Sequence, residues 1–97
     1  MAFLVAEIQS TPNPNALKFI LDRRISERAI SFLNPAAVAG FPLAERLFGI
    51  RGVVGVLLLG DFVTINKSPE VRWADVSPNV RKVLKAATDE DAGVGPV

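Results

Sequence analysis

Thr11-Pro12-Asn13-Pro14-Asn15-Ala16-Leu17-Lys18-Phe19 is the stretch on which the fold turns. Each proline holds its own φ near −65° and pushes the preceding residue toward extended geometry. Thr11 and Asn13, with their prolines, therefore make a stiff connector. Asn13 and Asn15 present amide side chains from a backbone that is cheap to hold still. A strand-like run follows at once, with Leu17, Phe19 and Leu21 on one face and Ala16, Lys18 and Ile20 on the other. Residues 3–9, before the connector, alternate in the same manner. Leu4, Ala6 and Ile8 are expected on the core face, and Phe3, Val5, Glu7 and Gln9 on the opposite one. Two such runs across a short polar turn read as an antiparallel hairpin.

Composition bounds what this hairpin belongs to. Ninety-seven residues, 49% of them apolar, are enough for one small domain with a core. No stretch approaches the ~20 apolar residues of a membrane span. The first seven residues lack the basic start of a secretory signal, so the expected protein is soluble and cytoplasmic. There is no Cys, His or Tyr. The chain thus has no disulfide framework, no thiolate nucleophile and no thiolate ligand for zinc or an iron–sulfur cluster. The commonest general base is missing too. Of ten acidic residues, Asp89, Glu90 and Asp91 sit in the last ten positions, so residues 1–87 hold 11 basic against 7 acidic residues, a net charge of +4. This falls short of the dense basic stripe of a nucleic-acid binder.

Beyond the hairpin, Asp22-Arg23-Arg24 is a charged turn, and residues 28–33 fit either a short edge strand or a helical turn. Asn34-Pro35 resembles a helix start, with a single turn over 35–39 stopped by Gly40. Residues 42–48 predict a helix with proline at its first position; Leu43, Leu47 and Ile50 recur at helical spacing, and Glu45 and Arg46 point away. Residues 53–59 are apolar on both faces, as in a central strand. Gly60-Asp61 turns the chain into a strand over 62–67, with Val63 and Ile65 on one side and Phe62, Thr64 and Asn66 on the other. A last helix is expected from Ser77-Pro78, with Val80, Val83, Leu84 and Ala87 as its buried stripe and Trp73 seating it on the sheet. Residues 88–97 read as a disordered acidic tail behind one domain of residues 1–87. The order β-β-(β)-α-β-β-α is an α+β two-layer sandwich, a mainly antiparallel sheet with helices on one face. The other face, with Phe3, Val5, Ile20 and Phe62, is then too apolar to be idle.

These blocks resemble the N-terminal domain of the Nfu/NifU-like iron–sulfur scaffold proteins. The resemblance rests on Thr11 to Phe19, on Pro42-Leu43-Ala44-Glu45-Arg46-Leu47-Phe48-Gly49-Ile50 with Gly52-Val53, and on Gly60-Asp61-Phe62-Val63-Thr64-Ile65-Asn66-Lys67 followed by Trp73. The blocks occur in the family's order over residues 3–87. The resemblance implies a role in assembling or delivering iron–sulfur clusters. In full-length members a separate C-terminal domain holds the cluster through a Cys-x-x-Cys motif. This chain carries no cysteine, so no cluster ligand transfers to it. The implied cofactor state is none bound by this chain alone, with an iron–sulfur cluster met only through a partner.

The expected function is therefore a non-catalytic interaction module, with a scaffold, carrier or apo-target protein of iron–sulfur biogenesis as partner. No nucleic acid, membrane or metal site is expected. Phe3, Val5, Ile20 and Phe62 would supply apolar contact, and Asn13, Pro14, Asn15 and Lys18 would orient it. Each element also has a plainer reading. The asparagine amides can serve local backbone groups of a rigid loop, and Lys18 can be a solvated strand lysine. Arg81, Lys82 and Lys85 fit a solvated helix face. The apolar face can pair with a second copy in a structural homodimer, and a small enzyme working through Asp, Lys, Ser or Thr is the third alternative.

Overall fold

The computed structural model describes residues 3–34 and 41–87. The expected helix start at Asn34-Pro35, its single turn and the tail over 88–97 lie outside the described residues. The elements run β1 (Val5–Ser10), β2 (Ala16–Leu21), β3 (Ser26–Phe32), α1 (Pro42–Phe48), β4 (Val53–Gly60), β5 (Phe62–Lys67) and α2 (Trp73–Ala86). The strands form one five-stranded sheet in the order β1-β2-β5-β4-β3. All four pairings are antiparallel. The fold is α+β, as expected.

The β1–β2 and β4–β5 hairpins join through β2 and β5, where Phe19 opposes Val63 and Leu17 opposes Ile65. This register extends one core-facing row through all five strands: Ile8, Phe19, Val63, Leu58 and Ile30. Both helices pack on that side. Leu43, Ala44 and Leu47 of α1 and Val76, Val80 and Leu84 of α2 are buried in one cluster with Phe19, Val56, Leu58, Val63 and Ile65. A stripe recurring every three to four residues on a helix meets a face that recurs every two on a strand, which closes the two layers.

Residues 26–32 resolve the ambiguity of the 28–33 stretch as an edge strand. β3 pairs with β4 on one side and carries a bulge between Ser26 and Ile30. Glu27 and Arg28 are exposed there. Charge and a bulge at a sheet edge discourage pairing with other chains. α2 starts one turn earlier than Ser77-Pro78 marked. Arg72, in extended conformation, is its N-cap, and Pro78 lies inside the helix. The amide N–H groups of Asp75 and Val76 already donate to the Arg72 carbonyl at 3.0 and 3.1 Å. Trp73 is thus the first residue of the helix rather than a spacer before it.

The larger departure is in β1. A bulge between Val5 and Glu7 inserts one extra residue against β2. Alternation changes phase across such a bulge, because side chains have a period of two. Val5 then opposes Leu21 on the core side, while Glu7 opposes Ile20 on the other. Phe3 is fully buried. Its N–H donates to the Leu84 carbonyl of α2 at 3.0 Å, and the Arg23 guanidinium lies 3.9 Å from its ring centre. Phe3 and Val5 therefore belong to the core, not to the open face expected for them, and Leu4 is half exposed.

Among the described residues, two glycines adopt positive φ, Gly52 at 93° and Gly60 at 57°. They are not equivalent. A Cβ at Gly52 would lie 2.4 Å from Cγ2 of Val71, whereas one at Gly60 would meet nothing within 4 Å. Gly52→Ala should cost about 2 kcal/mol or more, combining backbone strain with overpacking. Gly60→Asn should cost well under that, since asparagine tolerates the left-handed region. Denaturant unfolding of the two variants measures the difference.

Candidate partner-binding face

The face away from the helices is built from the alternate residues of the same rows. Glu7, Ile20, Phe62 and Leu59 form one row across four strands. Gln9, Lys18, Thr64, Leu57 and Ser31 form the next. Ile20, Leu57, Leu59 and Phe62 are half-buried. Among the described residues, no helix covers them. The result is an apolar centre of four side chains on β2, β5 and β4, with polar groups around it. Lys18 tops it: its Nζ lies 4.1 Å from the Phe62 ring centre, a cation–π contact made diagonally between neighbouring strands. Gln9 Nε2 donates to the Glu7 carboxylate on β1.

The loop over residues 11–15 makes a second, separate feature. Thr11 Oγ1 receives the Asn13 N–H at 3.2 Å and lies 2.9 and 3.0 Å from the Asn13 and Ala16 carbonyls. Asn13 Oδ1 accepts the Asn15 N–H at 2.9 Å, an Asx turn. The Ala16 N–H returns to the Asn13 carbonyl at 3.0 Å. Asn15 Oδ1 accepts from Lys67 Nζ at 3.1 Å, and Trp73 Nε1 donates to the Pro14 carbonyl at 3.1 Å. Pro12, Asn13 and Pro14 remain exposed.

Lys67 has the same strand parity as Val63 and Ile65, so it points to the helix side, where it is buried. Among the described residues it is held without a carboxylate, by Asn15 and by the Ser68 carbonyl at 3.4 Å. The Trp73 ring lies 5.6 Å from its Nζ. Asn15 and Pro14 are thereby tied to the helix layer, while Lys18 stands on the opposite face. The structure does not gather the expected site residues on one surface. It leaves Lys18, Ile20 and Phe62 together, holds Asn15 and Pro14 against Lys67 and Trp73, and buries Phe3. Leu57 and Leu59 were not singled out from sequence, although the run 53–59, apolar on both faces, contained the signal.

Asn15→Ala would leave the Lys67 ammonium with one weak acceptor. The expected cost is about 1.5–3 kcal/mol, the range for a hydrogen bond to a buried charge. A cycle with Lys67→Met isolates the pair: the asparagine substitution should cost little once the ammonium is gone.

Among the described residues, no three His, Cys, Asp or Glu side chains come together as a metal would require. No helix among them is long and apolar enough to cross a membrane. Residues 6–91 match the model of the scaffold protein Nfu/NifU N-terminal family. The human NFU1 iron–sulfur cluster scaffold homolog is 40% identical over 80 residues, covering 80% of this chain and 32% of that protein. NifU-like protein 4 of Arabidopsis thaliana is 39% identical over 75 residues, covering 76% of this chain and 26% of its own length. The chain thus spans about a third or less of the curated relatives it matches. A NifU-like protein from Saccharomyces cerevisiae superposes with a TM-score of 0.74 at 28% identity, covering 84% of this chain and 76% of that one. Protein SAV1430 from Staphylococcus aureus shares the fold, with a TM-score of 0.66 at 23% identity over 82% of this chain and 96% of its own. The human and Arabidopsis relatives are mitochondrial proteins, which overturns the cytoplasmic placement expected from residues 1–7. With a family model matched over most of its length and the sheet topology to go with it, this chain belongs to the Nfu/NifU N-terminal family of iron–sulfur scaffold proteins.

Proposed function

We propose that residues 1–87 are a non-catalytic docking module of iron–sulfur cluster assembly or delivery, and that the helix-free sheet face is where the partner sits. The observation that carries this reading is the cluster of Ile20, Phe62, Leu59 and Leu57 on that face. Contiguous apolar surface with a polar rim is the anatomy of a protein interface. The partner is a scaffold, carrier or apo-target protein that brings its own cluster ligands. This chain has no cysteine with which to hold a cluster alone. Lys18, Glu7 and Gln9 supply the rim that orients the partner. Phe3 and Val5 play no part in it, and the exposed tip of the 11–15 loop contributes only if the partner reaches round the sheet end.

Affinity capture with the intact chain, from a native extract of its source, tests this directly. An iron–sulfur protein should be enriched. Anaerobic reconstitution of the isolated chain with iron and sulfide should leave no cluster absorbance in the protein fraction. A stoichiometric cluster on the chain alone, or capture that enriches no iron–sulfur protein, contradicts the proposal. Light scattering over a concentration series separates it from self-association: a stable dimer that hides Phe62 would assign the face to a second copy.

A further inference from the structure

A second surface lies on the opposite side of the molecule, between the two helices. The end of α1 and the turn after it face the second half of α2 across a groove of about 630 Å³. Its floor is Ile50, Val83 and Ala86, and its walls carry Arg46 and Arg51 on one side and Lys82 on the other. Among the described residues, no carboxylate lines it. Arg51 and Lys82 are exposed, whereas Ile50 is buried and Val83 half-buried. Residues 1–87 carry a formal net charge of +4, and Arg46, Arg51 and Lys82 gather three of their basic side chains at this groove. A concave apolar floor between cationic walls is the shape of a site that takes an apolar side chain flanked by acids.

We infer that this groove docks an acidic peptide segment of a partner protein, with one aliphatic side chain on Ile50 and Val83 and carboxylates toward Arg51 and Lys82. A nucleic acid fits less well, because among the described residues no aromatic side chain lines the groove as a stacking platform. The sheet face and the groove lie on opposite layers, so one chain can hold two segments at once.

The test uses the intact, isotope-labelled chain and a synthetic peptide with one leucine between runs of aspartate and glutamate. Saturable amide shifts centred on Arg51, Lys82, Val83 and Ala86 are expected. Affinity should fall about tenfold or more in Arg51→Glu/Lys82→Glu, two exposed positions whose change leaves the core intact. Lys82→Gln alone serves if the double variant fails to fold, and should give a smaller loss in the same direction. A peptide with serine for leucine should bind measurably more weakly. Shifts centred on Ile20 and Phe62, equal binding of the serine peptide, or the same residues shifting with phosphatidylserine vesicles but not with the peptide would each overturn the inference. So would peptide binding that appears only when Asp89, Glu90 and Asp91 are neutralised to Asn, Gln and Asn, because the chain's own acidic residues would then be the occupant.

Discussion

Phe3→Ala is expected to destabilise the protein by about 3–5 kcal/mol, the cost of emptying a phenylalanine site in a packed core. That is a large fraction of the total for a domain of this size, which is about 5–15 kcal/mol. The side chain is fully buried. It packs in one cluster with residues of both helices, and its backbone N–H is tied to Leu84. Were Phe3 on the open face, the same change would fall within about 0.5 kcal/mol of neutral. Urea unfolding, read as a shift in midpoint at constant slope, separates the two outcomes. The experiment also tests the bulge between Val5 and Glu7, since the bulge is what brings this end of β1 round to the helices.

The second large effect concerns binding. Ile20→Thr/Phe62→Thr should weaken capture of the iron–sulfur partner by about 30-fold or more, as expected when central interface residues worth about 2 kcal/mol or more are truncated. Threonine keeps strand propensity, so the sheet should persist. Circular dichroism and the thermal midpoint confirm that it does. Leu33→Thr is the control: Leu33 is the most exposed large apolar residue described, at 78%, and it lies off the Ile20–Phe62 row. Unchanged binding in the double variant, with the fold intact, would remove the sheet face from the proposal. Lys18→Ala adds a finer reading, because it strips the cation from Phe62 while leaving the apolar centre; a loss well below that of the double variant is expected.

The two layers were legible in the chain because they rest on short-range pattern. Strand alternation over 16–21 and 62–67, proline at the first helical position of Pro42–Phe48, and the Gly60-Asp61 turn each act through neighbours within a few residues. The 11–15 connector belongs to the same class, since its Thr11, Asn13 and Asn15 hydrogen bonds close mostly within the loop. The helix start at Trp73 was harder. Ser77-Pro78 is a strong local start signal, yet burial of Val76 in the core cluster extends the helix one turn upstream past it.

By itself, then, the sequence determined the order of elements, the family and the lack of any cysteine for a cluster. Those follow from residue identity and local periodicity. Tertiary structure decided which side chains share a face. A single bulge moved Phe3 and Val5 into the core, because a one-residue slip inverts a period of two and nothing in residues 3–9 marks where the extra residue sits. The Lys67 ammonium drew Asn15 to the helix side, since a buried charge takes the nearest oxygen acceptors it can reach, and that contact spans 52 positions of chain. Pairing of β2 with β5 brought Ile20, Phe62 and Leu59 into one row, and the approach of α1 to α2 set Arg51 across from Lys82. Local alternation put Ile20 and Phe62 on the open face, but the assembly of either candidate surface is a product of contacts between distant segments.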